Sequence, residues 1–162
     1  MSEDVRLITL STIDEERFGV KTAKTAHLSS RDIPLVLGYC EDNQVELLIA
    51  RCNTSDLQVV HEMEQRGFLL MDTLIYFSCM LSARNIPVEP VFHVRPFRSG
   101  EEHAVKSVAG KAFKGYINHY HADGRLDKRR CDEVYADWAY RSCLSRKMAD
   151  EVLIADSGAE II

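Results

Sequence analysis

The hydrophobic pattern is most ordered between residues 45 and 77, VELLIARCNTSDLQVVHEMEQRGFLLMDTLIYF. Residues 45–52 form a short apolar run closed by the turn formers Asn53, Thr54 and Ser55, which predicts a strand largely hidden from solvent. A helix follows. Ser55 and Gln58 have the spacing of a capping box, and Asp56 places negative charge at the positive end of the helix dipole. Val60, Met63 and Gly67 share one face, and Gly67 can take the left-handed backbone that stops a helix. From Phe68 the period changes to two. Leu69, Met71, Thr73, Ile75 and Phe77 then point one way, predicting a second strand whose apolar face the helix covers.

Upstream, an apolar run over residues 5–10 is followed by a turn-and-acid segment over 11–17, and Phe18-Gly19 punctuates a strand. A cap-like Ser30 and the Ile33-Pro34 step allow a short helix through Cys40. Two prolines, Pro87 and Pro90, mark residues 84–90 as a linker between a module at 1–83 and a second at 91–162. The second module opens with a short strand over 91–96. Ser99 and Glu102 form another capping box ahead of a helix striped by Val105, Val108, Ala109 and Ala112, with Phe113 near its end. Past a loop over 114–126, Asp127 caps a longer helix carrying Cys131, Val134, Tyr135, Trp138 and Ser142 at helical spacing, with Trp138 as its core anchor. Residues 151–155 read as a strand, Asp156-Ser157-Gly158 as a hairpin turn and 159–162 as the returning strand. A strand closing on Ile161 and Ile162 would present an unpaired edge, so the expectation is a piece of a longer protein; a short frayed terminal strand is the other reading.

Composition narrows the classes. With 162 residues, 46% of them hydrophobic, the chain can build one ordinary domain or two small ones. A net charge of −5 argues against a general nucleic-acid or anionic-membrane surface, and Lys128-Arg129-Arg130 reads as a solvated helix face. The five cysteines have neither a CxxC pair nor metal-ligand spacing and read as reduced, half-buried thiols. No run of about eighteen apolar residues is present to span a bilayer, which points to the cytoplasm.

Several segments occur together in an order that resembles one branch of the GNAT N-acetyltransferase superfamily, the dTDP-aminodideoxyhexose (dTDP-fucosamine type) N-acetyltransferases. They are Phe18-Gly19-Val20, the helix-to-strand turn from Met63 to Leu70, Ala112-Phe113, the aromatic and histidine-rich loop, Tyr135 to Trp138, and Val152 to Gly158. The resemblance implies an α/β fold: a small N-terminal βαβ module, then the first half of a GNAT domain with a mixed sheet and flanking helices. It also implies acetyl-CoA as co-substrate, no metal, and a nucleotide sugar as the small-molecule partner. One departure bears on mechanism. The superfamily holds acetyl-CoA with a Q/R-x-x-G-x-G/A loop whose backbone amides cradle the pyrophosphate. Here no two of the eight glycines are separated by a single residue, so no cofactor-binding residue carries over, and the catalytic residue is expected beyond Ile162.

In the resembled family the segment between the first two helices lines the acceptor pocket, here FKGYINHYHADGR at 113–125. Phe113 opens it. Tyr116 and Tyr120 offer rings to stack on a base or sugar, and His119, His121, Asp123 and Arg125 add hydrogen-bonding and charged groups. A neutral histidine there could relay the proton that an acceptor ammonium must lose before its nitrogen attacks a thioester. The plain structural reading is a solvated polar loop. A zinc site on the His119-x-His121 pair, with Cys131 considered beside it, lacks third and fourth ligands at convincing spacing, and none of the cysteines lies beside a histidine. The rival class is a non-enzymatic α/β interaction module that pairs its terminal strand with a partner sheet, either in a homodimer or with another chain.

Overall fold

The structure, a computed structural model, describes residues 7–80, 93–158 and 160–162. The fold is mixed α/β and the chain divides into two compact units, Met1–Met71 and Asp72–Ile162. The expected linker at 84–90 lies outside the described residues. Among the described residues, no helix is long and apolar enough to cross a membrane.

The first unit runs β1 (Ile8–Leu10), α1 (Thr12–Phe18), β2 (Thr22–Thr25), α2 (Ile33–Asp42), β3 (Leu47–Ala50) and α3 (Leu57–Gln65). Its sheet has the order β1-β2-β3, with β1 antiparallel to β2 (Ile8 opposite Thr25) and β2 parallel to β3 (Thr22 opposite Leu47). The βαβ unit is therefore β2-α2-β3, one step earlier than the sequence pattern places it. Thr22, Ala23 and Thr25 of the central strand are buried, and Ile33 and Val36 of α2, Val59 of α3 and Leu28 form the core. The segment over 11–17, read as a turn, is most of a helix. Ser11 Oγ donates to the buried Asp14 at 2.6 Å, Lys24 pairs with the same carboxylate, and Gly19 at φ 69° ends the helix.

Two caps differ from expectation. Ser55 Oγ donates to Asn53 at 2.9 Å, so Asp56 takes the N-cap of α3 and accepts from the Val59 amide at 3.3 Å. Asp32 likewise holds the N-cap position of α2 in place of Ser30, and its carboxylate is engaged by Ser29. Ser55 can donate to a nearby side chain and so has a competing use for its hydroxyl, whereas the buried Ser30 hydroxyl has no hydrogen-bond partner among the described residues. The glycine stop forms as expected: Gly67 adopts φ +85°, its amide bonds Glu64 and the Phe68 amide bonds Met63, both at 3.0 Å. This is a Schellman closure. The strand expected beyond it is corrected by the structure. Residues 68–80 form no strand, and Leu69, Leu70, Leu74, Ile75, Tyr76, Phe77 and Met80 are exposed. A period-two pattern specifies a face but supplies no ladder partner, and none of the described strands pairs with this segment.

The second unit contains β4 (His93–Pro96), α4 (Glu102–Ala112), a 3₁₀ turn (His119–Ala122), α5 (Lys128–Asp132), α6 (Val134–Leu144) and β5 (Leu153–Asp156). β4 and β5 pair antiparallel, with Arg95 opposite Ile154, and Ile161 bridges back to Asp156 after the turn at Gly158. Arg95 clasps Asp156 at 2.5 Å and Glu101 at 2.7 and 3.0 Å. Glu101 also accepts the Arg98 amide and stands at the N-cap of α4, while Glu102 accepts from Gly100; the Ser99–Glu102 box does not form.

The long helix expected after Asp127 is two helices meeting at Glu133. Asp127 does cap the first, accepting from the Arg129 amide at 2.9 Å. Tyr140 stands 5.1 Å from the His103 ring and 5.6 Å from Lys106 Nζ, and Ala136 Cβ lies 3.8 Å from where a side chain on Gly110 would begin. Thus Ala136 and Tyr140, one turn apart, face α4. Trp138 is about 200° around the helix from Ala136, at ~100° per residue, and is 52% exposed, so it is no core anchor. The α4 stripe of Val105, Val108, Ala109 and Ala112 lies opposite the His103–Lys106–Gly110 face, and no residue of α4 is fully buried.

Candidate functional site

The loop between α4 and α5 is shaped by Asn118. Its buried side chain accepts from the Tyr120 amide at 3.0 Å and donates to the Cys131 carbonyl at 3.3 Å, which binds the 3₁₀ turn to α5. His121 closes the turn reciprocally: Nδ1 accepts the Asn118 amide at 3.2 Å, and Nε2 contacts Asp132 Oδ1 at 3.0 Å. Both ring nitrogens of His121 are therefore engaged by the fold. Lys128 Nζ donates to the His121 carbonyl at 2.5 Å and to the Asp123 carbonyl at 3.3 Å.

Of the seven residues singled out from the sequence, six fall into three pairs and one, His121, stands apart. Phe113 and Tyr116 join Tyr135 of α6 in an aromatic cluster: Phe113 and Tyr135 stack at 4.2 Å, and Tyr116 meets them edge-on at 5.8 and 5.5 Å. Tyr116 keeps about half its surface in solvent. His119 and Tyr120 form the second group, with rings 4.2 Å apart and tilted by 39°. Tyr120 is buried, whereas His119 reaches Asp72 with Nδ1 at 3.2 Å from Oδ2. The third is the Asp123–Arg125 ion pair at 2.6 Å, which holds the Asp123 carboxyl below the usual carboxylate range, with the Arg125 backbone amide and the charge of Lys128 acting the same way. His121 stands apart as part of the turn. Asn118, Tyr135 and Asp72 are not picked out as site residues by the sequence. Asn118 carries a local signal, an N-cap residue type directly before the histidines, and Asp72 carries none.

Other possible chemistry is thin. Among the described residues no group of three or more His, Cys, Asp or Glu side chains could hold a metal ion. Cys131 is fully buried, and burial pushes the thiols of Cys40, Cys52, Cys131 and Cys143 up, away from nucleophilic thiolate. Cys79, expected to be half-buried, is exposed. Concave patches lie on α3 (Gln58, His61, Glu62, Gln65, Arg66) and around the start of α5 (Asp127, Arg129, Arg130, Glu133). Both are polar surface of a single helix.

Acetyl-CoA can be tested against the glycines. Gly110 lies inside α4 and Gly115 in the turn after it, at φ +76°, so the AGKAFKG stretch follows a helix rather than opening one. A pyrophosphate cradle needs amides at a helix N-terminus, and these residues do not fit it. The chain matches no protein-family model, no curated protein and no solved structure.

Proposed function

We propose that the chain carries the acceptor side of a cytoplasmic N-acyltransferase, one that moves an acetyl group from acetyl-CoA to an amino group of a nucleotide-linked amino sugar. The cofactor side lies outside its residues. The observation that carries this reading is the half-exposed Tyr116 ring, braced edge-on by Phe113 and Tyr135 and three positions ahead of His119. A ring fixed in this way can stack on a base or sugar with little ordering cost, and functional groups concentrate on loops held by rigid elements. The family resemblance supplies the reaction class. Replacing Tyr116 with alanine tests the reading: affinity for a dTDP-linked aminodideoxyhexose should fall by about 1–3 kcal/mol, the range for loss of one base–aromatic stack. An unchanged affinity, measured on a variant with native circular dichroism, would remove the ring from the acceptor site.

A second reading has its own support. The exposed apolar run from Leu69 to Met80 suits a non-enzymatic interaction module better than a soluble enzyme loop. Self-association of the chain that disappears when Ile75 and Phe77 are both replaced by serine would favour it.

A further inference from the structure

We propose that His119 and Asp72 form a proton-accepting couple, with His119 Nε2 receiving a proton from the acceptor's primary ammonium and Asp72 as the positioning residue. This rests on the acyltransferase reading. The Nδ1 contact to Asp72 fixes the ring's tautomer, because an ionised carboxylate only accepts; Nδ1 carries the hydrogen and Nε2 keeps its lone pair. The ring is also held on one face by buried Tyr120, whose amide is fixed by Asn118. Nε2 has no hydrogen-bond partner among the described residues, and the side chain keeps 20% of its surface accessible. His121 is the contrast, since the Asn118 amide and Asp132 take both its nitrogens. Nor does the turn need the Asp72 contact, as Asn118 and His121 already close it.

The step balances. An ammonium R–NH3⁺ bound against Nε2 gives up one N–H proton, its bonding pair stays on nitrogen as the lone pair of R–NH2, and the ring becomes imidazolium. One positive charge moves from ligand to ring, where the Asp72 carboxylate stabilises it. The Asp72 carboxylate, 3.2 Å from Nδ1 on the other side of the ring, also favours a cationic ligand over a neutral one.

The test uses the whole chain, wild type and Asp72→Asn, with circular dichroism confirming that both fold. Nitrogen-15 spectra of the histidine rings report the tautomer, and diethyl pyrocarbonate followed by peptide mass mapping reports the accessibility of each unprotonated ring nitrogen. The expected result is His119 in the Nδ1–H form, modified several-fold faster than His121, with mixed tautomers and slower modification in D72N. A dTDP-linked aminodideoxyhexose should protect His119 and dTDP alone should not. His119 in the Nε2–H form, or a D72N variant with unchanged spectrum and rate, overturns the couple. If calorimetry shows the amino sugar bound but His119 unprotected, or dTDP alone protecting it, the proton-accepting role fails and the acceptor reading stands. If the amino sugar does not bind at all, both fall, and a Nδ1–H tautomer intact in the wild type then assigns the fault to the substrate class rather than to the geometry.

Discussion

The rings of Phe113 and Tyr135 lie stacked, 4.2 Å between centroids and 14° between planes, which ties the end of α4 to the first turn of α6. That contact fixes where the intervening loop begins. It also leaves Tyr116 half-exposed while Tyr120, four positions on within the 3₁₀ turn, is buried.

The burial difference makes a stability prediction. Tyr120→Ala should cost about 3–5 kcal/mol by lost burial plus cavity, whereas Trp138→Ala should stay within about 1 kcal/mol, as for other surface substitutions. Urea denaturation of the two variants checks this. Comparable losses would mean that the outward face of α6 is covered in solution.

Loss of function in Tyr120→Ala would consequently say little about a binding role, because unfolding alone could cause it. His119 and Tyr116 are the positions where binding and stability separate.

The left-handed turn after α3 gives a second prediction. A Cβ on Gly67 would meet nothing within 4 Å, so Gly67→Ala costs only the strain of holding an L-residue at φ +85°, roughly 1–2 kcal/mol. Thermal or urea unfolding of that variant measures it, and an unchanged midpoint would show that the Schellman closure is dispensable.

Those positions show what the chain's pattern can reveal. Gly67, Asp127 and the strands around Leu47–Ala50 and His93–Pro96 are legible because each depends on a local rule: a φ only glycine takes easily, a cap bond to a nearby amide, or a short apolar run. Elements that depend on a partner are not. α1 is hidden because its buried member is Asp14, whose place inside is explained by partners such as Ser11 and Lys24. Trp138 is misplaced by pattern alone because α6 carries two apolar stripes, and which one meets α4 is decided by Gly110 and His103 on the other helix. Residues 68–77 alternate as a strand should, yet alternation says nothing about whether a neighbouring edge is available. In the loop, residue types are visible and their division is not: Asn118 buries Tyr120, and Asp72 comes from outside the loop.

Acid stability offers a third prediction. Hydrogen bonds from Arg95 hold Glu101 and Asp156 below their ordinary carboxylate range, with the Arg98 and Gly158 amides adding to the effect. Depressed folded-state values mean that this stability is present above the unfolded carboxylate range, near about 4, and is lost as pH falls below it through the folded values. Melting temperature measured from pH 6 downward should therefore drop less steeply in Arg95→Met than in wild type. Equal slopes would show that the clasp contributes nothing to folding.

Thiol exposure gives a fourth. A maleimide at neutral pH should label Cys79 first, because it is exposed, and Cys131 last, because it is fully buried and its thiol is pushed up. Early labelling of Cys131, mapped by mass spectrometry, would mean that the packing of α5 against the 3₁₀ turn is loose.

Whether this chain holds the acceptor and not the acyl donor is decided by calorimetric titration of the unaltered chain, once with a dTDP-linked aminodideoxyhexose and once with acetyl-CoA. Saturable binding of the amino sugar with no appreciable binding of acetyl-CoA is the expected result. Tight acetyl-CoA binding, or an amino sugar that does not bind, would contradict that division of the enzyme.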